Sequence, residues 1–377
     1  MDRVKKLFIE AMALGDIKVN GDRAWDFQVK NPAIWQRILK DGSLGVGEGY
    51  VENWWDVESL DEFVFRVRKY RLLDVLYDVF DGSWSNRLYV LQSKIFNLQN
   101  KEKSKRVAKE HYDIGNDLYT KMLDPYMQYS CGYWKNADNL NQAQENKLDL
   151  ICRKLKLEKG MRLLDIGCGW GGLLKFAAEK YGIIGTGITI SQEQQKLAQE
   201  NVKGLPVEII LADYRDYSAE PYDRVVSVGM LEHVGYKNYK EYMEAVNRNL
   251  KDNGLALLHT IGESFFATTA DPWVNKYIFP GGQIPSLQQL SKSWENTLTL
   301  QDLHNIGLDY DATLMAWYEN FKQAWPEFKD KYGEEFYRLW EYYLLSFAGT
   351  FRSGYLHLWQ MVFTKPYSRL ERYEAER

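Results

Sequence analysis

The chain has 377 residues and a formal net charge of −4 at neutral pH, and 15% of its residues are aromatic. That length is sufficient for two domains or for one large elaborated domain. The slightly acidic balance argues against a nucleic-acid-binding protein, which is usually basic.

The distribution of apolar residues and cysteines predicts a cytoplasmic protein. No apolar run reaches the length that a transmembrane helix needs. Residues 1–19 place acids within an amphipathic pattern, which is unlike a signal peptide. The cysteines Cys131, Cys152 and Cys168 show neither disulfide nor metal-ligand spacing, so we predict reduced thiols and no metal site.

Residues 1–92 are predicted to form a small, mostly helical domain. The stretches 4–12, 31–39 and 59–80 carry apolar residues at three-and-four spacing, and Asn-Gly and Asp-Gly turn signals separate them. Four glycines directly precede Trp54 and Trp55. This segment is either a core element or part of a surface that meets lipid, since aromatic rings suit a membrane interface.

Residues 93–109 are predicted to be a basic linker, with the catalytic domain following at 110–377. From Lys101 to Lys109 there are five bases and one acid. Such a run is either simply solvated or attracted to an anionic membrane. Beyond it, residues 128–134 (QYSCGYW) are predicted to be an irregular loop that could cover a site, and Asp138–Lys156 a helix.

The segment 161–172, MRLLDIGCGWGG, organises the rest of the chain. A short apolar strand ends at Asp165, a glycine-dense turn follows, and the next ten residues have helical spacing. Strand, glycine turn and helix open a Rossmann-like βαβ unit, in which a ligand lies at the carboxyl end of the strand. Glycines there allow a sharp turn and a close approach of backbone to ligand.

Two ligands compete for this turn. Gly167, Gly169 and Gly172 match the dinucleotide pattern GxGxxG, which requires an acid at the end of the second strand. That strand is followed by Ser191 and offers no carboxylate, and the nearest acid, Glu193, lies in the next helix. Asp165 two residues before the first glycine instead favours S-adenosylmethionine (AdoMet) over NAD.

Strands and helices alternate after residue 161, which predicts a doubly wound parallel sheet. The carboxyl ends of its strands should line one crevice. We expect Asp213 to bind the adenine amino group of the cofactor and the ring of Tyr214 to stack on it. Glu232 and His259 fall at the same rim and are candidates for proton handling. The candidate ligand-binding residues at the strand ends are Asp165, Thr189, Ser191, Gln194, Asp213, Tyr214 and Gly229.

Residues 263–310 are predicted to interrupt the sheet as an insertion. Its aromatic part, 271–282 (DPWVNKYIFPGG), is predicted to form one wall of an apolar pocket. Amphipathic helices are predicted over Ala312–Ala324 and Tyr332–Gly349, and a final strand over 356–366.

Several long segments resemble the family of bacterial cyclopropane-fatty-acyl-phospholipid synthases, which is related to the mycolic-acid cyclopropane synthases. The resemblance runs from about residue 110 to the end of the chain. It is carried by YDIGNDLY, LDPYMQYSCGYW, LDIGCGWGG, GITIS, DYRDY, VSVGMLEHVG, LLHTIG, DPWVNKYIFPGG, DYDATLMAWYENF and AGTFR. It implies a class I AdoMet methyltransferase fold preceded by the small helical domain.

The resemblance also implies the reaction. A methylene group would pass from AdoMet to the cis double bond of an acyl chain in a membrane phospholipid. The alkene would attack the sulfonium methyl, and loss of a proton from the added methyl would close the ring. The family's base is a bound bicarbonate, which by position would be held by Glu232, His259, Tyr310 and backbone at Cys131 and Ile261. The AdoMet-binding positions carried over are Tyr129, Ser130, Asp165, Gly167, Cys168, Gly169, Trp170, Gly171, Thr189, Ser191, Gln194, Asp213, Tyr214, Arg215 and Gly229.

The resemblance leaves some points open. Phe347 stands where relatives often carry a cysteine, so a thiol there would not be required. We expect a cytoplasmic enzyme that docks peripherally on phospholipid through the N-terminal domain and linker, that forms a homodimer, and that binds no nucleic acid. The rival predictions are plain C-methylation of an unsaturated lipid, N-methylation of a small amine, and a catalytically silent lipid- or AdoMet-binding protein.

Overall fold

The computed structural model describes residues 2–74, 115–267, 269–368 and 372–377. Two compact units divide the chain. The first unit comprises Met1–Asn97, Thr268–Pro280 and Tyr310–Leu356, and the second comprises Leu98–Ala267, Gly281–Asp309 and His357–Arg377. The predicted linker at 93–109 and the boundaries beside it lie outside the described residues, so the predicted domain limits stay predictions.

The first unit is mainly helical. Its short strands β1 and β2 pair antiparallel, with Val29 opposite Trp55. Within the described part of this unit, no helix is long and apolar enough to cross a bilayer, and the same holds for the described part of the second. Its helices and strands through residue 74 are Asp2–Leu14, β1 (Gln28–Val29), Ile34–Asp41, Ser43–Val51, β2 (Trp55–Asp56) and Leu60–Lys69.

Aromatic packing forms the core of this unit. The ring of Trp55 is fully buried, stacks on Phe27 with ring centroids 4.6 Å apart, and donates from Nε1 to the carbonyl of Val46. Trp55 is therefore a core residue, as one of the two sequence interpretations held. Trp54 lies partly exposed beneath the guanidinium of Arg37.

The helix Ser43–Val51 forms in spite of its glycines, which are poor helix formers. A side chain on Gly47 would place its Cβ 2.3 Å from the ring of Trp273. A Cβ on Gly45 would lie 2.6 Å from the carbonyl oxygen of Arg37. Gly45 and Gly47 lie on different faces of this helix, and each is required for the close approach of a different neighbour.

The two helices predicted after residue 310 belong to one helical run, Asp309–Arg352, which breaks at Gly333 with a φ of 77°. Its Tyr310–Leu356 part packs with N-terminal residues in the first unit. Glu341, for example, accepts hydrogen bonds from the hydroxyls of Tyr50 and Tyr318. Sequence alone placed this segment in the catalytic domain, because periodicity shows that a face is apolar and not what covers it.

The second unit is a seven-stranded sheet with the order β5-β4-β3-β6-β7-β9-β8. Strands β3 to β7 are joined by parallel pairings, and β8 pairs antiparallel with β9 at one edge. This confirms the predicted α/β fold with a doubly wound sheet. The strands are β3 (Arg162–Ile166), β4 (Ile184–Thr189), β5 (Val207–Leu211), β6 (Tyr222–Val228), β7 (Leu250–Glu263), β8 (Thr299–Asn305) and β9 (Leu356–Thr364).

Helices flank the sheet and bury apolar residues against it on both faces. The predicted helix over 138–156 is confirmed as Leu140–Lys154, capped by the Asn139 side chain. β8 was not predicted, because its sequence TLQDLHN lies at a sheet edge and is mostly polar. The remaining helices of this unit are Asn116–Met122, Gly172–Tyr181, Gln192–Asn201, Tyr239–Asn249 and Leu287–Trp294, with 3₁₀ turns at Leu231–His233 and Tyr236–Asn238, whereas the helix Pro272–Tyr277 belongs to the first unit.

Candidate active site

The glycine turn after β3 is built as predicted. Gly167 and Cys168 both donate their backbone N–H groups to the carbonyl of Ile188 at the end of β4. Gly167, Gly169 and Gly171 have φ values of 85°, 54° and 79°, in the left-handed region that favours glycine. The turn therefore rests against the neighbouring strand and leads directly into the helix Gly172–Tyr181.

Open space lies beside two of the glycines at the strand ends. An added Cβ on Gly169, after β3, or on Gly229, after β6, would meet no atom within 4 Å. The carboxylate of Asp165 is buried, and its Oδ1 has no hydrogen-bond partner among the described residues. Burial raises the pKa of Asp165 to about 7, and the charge of Lys147 opposes that rise. An unmatched acceptor beside open space fits a ligand that brings a donor.

The end of β4 carries a small polar network. Thr189 donates its hydroxyl to Oε1 of Gln194, at 2.8 Å. The Ser191 hydroxyl accepts from the N–H of Gln194 and so caps the helix Gln192–Asn201. These predicted cofactor positions are thus brought together and orient one another. The strand end contains no carboxylate, in keeping with the argument against NAD.

Beyond β5, Asp213 is held by Arg215. The guanidinium donates to both carboxylate oxygens, at 2.8 and 2.5 Å, and the backbone N–H of Arg215 adds a third hydrogen bond. The ring of Tyr214 is buried and makes an edge contact with Tyr242, with centroids 5.1 Å apart. Stacking of Tyr214 on adenine therefore stays a prediction.

Glu232 lies in the 3₁₀ turn after β6. Its Oε1 accepts the backbone N–H of Ile261, at 2.6 Å, while Oε2 is buried with no hydrogen bond of normal geometry among the described residues. Burial raises the pKa of Glu232 to about 7. The carboxyl group is therefore close to half ionised at neutral pH, which suits an acid–base role.

His259 lies on β7, opposite Val228 of β6, and its ring is buried. The amide of Gln360 on β9 donates to Nδ1, at 3.3 Å, so the neutral ring carries its hydrogen on Nε2. Nε2 is buried and has no partner among the described residues. Burial, aided by the charges of Lys147 and Lys154, holds the pKa of His259 well below its usual range.

Backbone pairing brings Glu232 and His259 to one sheet edge. His259 and Ile261 are two residues apart on β7, so their side chains share a face of the sheet. Ile261 binds Glu232 through its N–H, and the carbonyl of His259 accepts from Gly229. The Ile261 N–H is thus already committed to Glu232, and any bicarbonate contact at Ile261 stays a prediction.

The other residues predicted to hold bicarbonate belong to different units. Cys131 is fully buried in the loop of the second unit. Tyr310 belongs to the first unit, where its ring packs on Phe351 with centroids 4.5 Å apart. Phe347, also in the first unit, makes an edge contact with Tyr343. The bicarbonate contacts predicted for the Cys131 backbone and the Tyr310 side chain stay predictions, as does the dispensability of a thiol at Phe347.

The loop 123–139 carries no helix or strand, as predicted for its QYSCGYW part. The ring of Tyr129 makes an edge contact with Tyr119, which in turn contacts Trp170 of the glycine turn. Ser130 is buried, and its hydroxyl accepts a hydrogen bond from Lys147. Tyr129 and Trp170 are therefore connected through Tyr119, and Ser130 is connected to the helix Leu140–Lys154 through Lys147.

Sequence reasoning missed Lys147 and Gln360, both fully buried. Lys147 lies on the helix Leu140–Lys154 among buried apolar residues, and Gln360 lies within an otherwise apolar strand. A polar residue at a position whose spacing predicts burial was the available signal, since such residues need a partner.

Comparison with known proteins agrees with this geometry. The family model for mycolic acid cyclopropane synthetase matches residues 98–361. The cyclopropane-fatty-acyl-phospholipid synthase of Escherichia coli (strain K12) is 51% identical over 356 residues, 94% of this chain and 92% of the relative.

Two solved structures are similar. The cyclopropane synthase MmaA2 from Mycobacterium tuberculosis has a TM-score of 0.65 and 30% identity, covering 72% of this chain and 100% of that one. The mycolic acid cyclopropane synthase CmaA1, complexed with SAH and CTAB, has a TM-score of 0.64 and 30% identity, covering 69% and 98%. The chain therefore belongs to the mycolic acid cyclopropane synthetase family.

Proposed function

We propose that the chain is a cyclopropane-fatty-acyl-phospholipid synthase that transfers a methylene group from AdoMet to the cis double bond of an acyl chain in a phospholipid. The observation that carries the proposal is a pair of buried polar atoms with no partner among the described residues, Glu232 Oε2 in the turn after β6 and His259 Nε2 on the adjacent strand β7. The Escherichia coli relative, similar over nearly the whole chain, supplies the substrate class.

The residues present fit AdoMet. Empty space lies beside Gly169 and Gly229, which a Cβ at either position would enter. Asp165 adds a buried carboxylate oxygen that has no hydrogen-bond partner among the described residues. Gln194 and Asp213 would add acceptors at the next two strand ends. AdoMet would supply an electrophilic methyl group to the alkene. The chain must then remove one proton from the added methyl so that the ring closes and the cationic charge is lost.

The proton acceptor has to be a base that escapes methylation itself. Glu232 offers a carboxylate oxygen and His259 an N–H hydrogen, which are complementary to the hydroxyl and the oxygen of a bicarbonate ion. When bound, bicarbonate would supply that base. Glu232 would orient its hydroxyl hydrogen, and the His259 N–H would stabilise its negative charge.

The first experiment tests the reaction. Purified protein is incubated with AdoMet and vesicles of a cis-monounsaturated phospholipid, and the fatty acids are analysed by gas chromatography and mass spectrometry before and after mild hydrogenation. We expect a chain heavier by one CH₂ that resists hydrogenation, and a dependence on added bicarbonate. Glu232→Gln should reduce its formation about 10²- to 10⁴-fold, while Asp302→Asn, a change at a buried carboxylate paired with Arg377, should not.

The alternative outcomes are distinct. A product that takes up hydrogen would identify plain C-methylation and contradict ring formation. A methylated amine without a lipid product would exclude the synthase reaction. Full activity after removal of bicarbonate would leave the synthase reaction in place and exclude bicarbonate as the base.

We further propose that the chain acts as a dimer that docks peripherally on the cytoplasmic face of a membrane. The support is the basic sequence from Lys101 to Lys109, since several bases near an anionic surface each add attraction. Deleting the N-terminal residues would uncover the helical segment from Tyr310 to Arg352 that packs with them, so charge changes in the full chain are the better test.

Neutralising four of these bases should weaken sedimentation with anionic vesicles by several-fold and make the remaining binding less sensitive to salt. The variant carries Gln at Lys101, Lys103, Lys105 and Arg106. The matched control carries Gln at the exposed positions Lys180, Lys196, Lys203 and Lys240. Equal vesicle binding by both variants would refute docking through the linker, and light scattering that gives a monomer mass would refute the dimer.

A further inference from the structure

Lys147 is a lysine with no access to solvent, in the helix Leu140–Lys154. Its ammonium group donates to Gln128 Oε1, at 2.5 Å, and to the Ser130 hydroxyl, at 3.0 Å. Burying an ammonium group costs free energy unless hydrogen bonds and an opposite charge compensate. The charged and titratable groups that face it are Asp124, Cys131, Asp165 and His259.

The loop that receives these hydrogen bonds is fixed from several sides. Asp124 accepts the backbone N–H groups of Tyr126 and Gln128, each at 2.8 Å. The Gln144 amide, one turn before Lys147 on the same helix, donates to the Ser130 carbonyl at 2.8 Å. A Cβ on Gly172 would lie 1.8 Å from the Tyr126 carbonyl oxygen, so the loop touches the start of the helix that follows the glycine turn.

Asp165 completes the arrangement from the strand side. Its Oδ1 is buried and unmatched among the described residues, and the charges that face it include those of Lys147 and, if ionised, Cys168 and Tyr242. Of these groups only Lys147 is positive, and no ion pair shorter than 4 Å to Lys147 is found in the described part of the chain. No single carboxylate therefore neutralises the Lys147 ammonium group. Its charge is compensated by its hydrogen bonds to the loop and by the carboxylate of Asp165.

We propose that Lys147 is a positioning residue for AdoMet: it holds Gln128 and Ser130 in place beside the glycine turn and balances the negative charge of Asp165. One side chain then holds the loop through two hydrogen bonds and provides a positive charge that acts on the carboxylate at the end of β3. This inference rests on the proposed use of AdoMet and adds a residue that neither sequence reasoning nor the family resemblance assigned.

The test is binding of S-adenosylhomocysteine to the full chain, measured by calorimetry. Lys147→Met removes both the charge and the donors, whereas Lys147→Gln keeps one donor. The matched control is Lys154→Met, on the same helix and equally buried, whose ammonium group contacts His304 and Asp302. Loss of two charge-assisted hydrogen bonds should weaken binding about 10- to 100-fold in Lys147→Met. Lys147→Gln should lie between, and Lys154→Met within about 3-fold of the unchanged chain.

The pH profile separates positioning from a general loss of structure. In the unchanged chain, affinity should fall below pH 7 as Asp165 is protonated, and again above pH 8 as Lys147, whose pKa burial lowers to about 8, is deprotonated. Removing the positive neighbour raises the pKa of Asp165, so the acid limb of Lys147→Met should move to higher pH. The alkaline limb that Lys147 contributes should disappear. Lys154→Met should keep both limbs.

The outcomes decide the matter. Affinity within 3-fold of the unchanged chain and an unmoved profile in Lys147→Met, or in Lys147→Gln if the methionine variant does not fold, would overturn the inference and leave the proposed function standing. Failure of the unchanged chain to bind S-adenosylhomocysteine would overturn the cofactor assignment itself, and this inference with it. Equal weakening by Lys147→Met and Lys154→Met would assign both lysines to stability alone.

Discussion

Two buried carboxylates, Asp26 in the first unit and Glu232 in the second, have opposite surroundings. Asp26 accepts four hydrogen bonds, three from Arg23 and one from the N–H of Lys18. Among the described residues, Glu232 accepts one of normal geometry, from Ile261, and its Oε2 has no partner. Burial raises the pKa of both groups, but at Asp26 the hydrogen bonds from Arg23 and Lys18 outweigh it.

The pKa values follow from this difference. Asp26 is lowered to about 2, and Glu232 is raised to about 7. A buried carboxylate with all its acceptors matched stabilises the fold, whereas one with an unmatched oxygen costs stability and can hold a ligand. Hydrogen-bond satisfaction therefore separates a structural acid from a functional one, and burial does not.

The largest expected effect is on activity, and its absence would contradict the distinction between Asp26 and Glu232. Glu232→Gln should reduce turnover about 10²- to 10⁴-fold, because the ionised carboxylate is lost from the proton-handling position. The activity of the unchanged chain should fall as pH drops through about 7, where Glu232 is protonated. Turnover on vesicles across pH 5.5–8.5 measures both effects. Retained activity in Glu232→Gln would make Glu232 a structural acid like Asp26.

The next effect is on stability, and its sign differs between the two acids. Asp26→Asn should lower the free energy of unfolding by about 3 kcal/mol, since it leaves Arg23 without its buried partner. Because the folded pKa lies below the usual 3.8, this stabilisation exists above pH 3.8 and is lost as pH falls toward 2. Denaturant unfolding at pH 7 and pH 3 measures it.

The matched control for Asp26 is Asp16→Asn, since exposed Asp16 also accepts from Arg23. That change should cost less than about 0.5 kcal/mol, because solvent screens the pair. Neither variant should change turnover per folded molecule by more than about 2-fold. A catalytic loss in Asp26→Asn without a stability loss would contradict the structural role.

Glu232→Gln should change stability in the opposite direction. The folded pKa lies above the usual 4.5, so ionisation costs stability progressively between pH 4.5 and 7. Glutamine does not ionise, so the variant should gain up to about 3 kcal/mol above pH 7 and nothing below pH 4.5. Thermal melting at both pH values measures it, and a loss of stability at pH 8 would mean that Oε2 is satisfied in the folded chain.

The smallest expected effect concerns His259. Gln360→Leu removes the donor to Nδ1 and with it the preference for the hydrogen on Nε2, so we expect turnover to fall about 10-fold. Gln301→Leu, a change on the neighbouring strand β8 away from His259, is the control. Nitrogen-15 NMR of the His259 ring reports the tautomer directly. An unchanged tautomer in Gln360→Leu would remove Gln360 from the site.

Local features of the sequence predicted much of the second unit. The spacing of apolar residues, the residues typical of turns and the order of elements along the chain are short-range properties. They predict the glycine turn at 167–172, the strands around it and the polar residues at the strand ends. The placement of Glu232 and His259 near one another also followed, because parallel strands bring their carboxyl ends to one edge.

What the sequence by itself determined was therefore the fold class, the ligand-binding turn and the list of candidate residues. Tertiary structure alone decided that Tyr310–Leu356 packs with the N-terminal residues, that Ile261 binds Glu232, and that Lys147 lies buried beside the loop. Each of these depends on contacts between residues far apart in the chain. Burial and hydrogen-bond partners come from such contacts, whereas periodicity reports only which positions need to be covered.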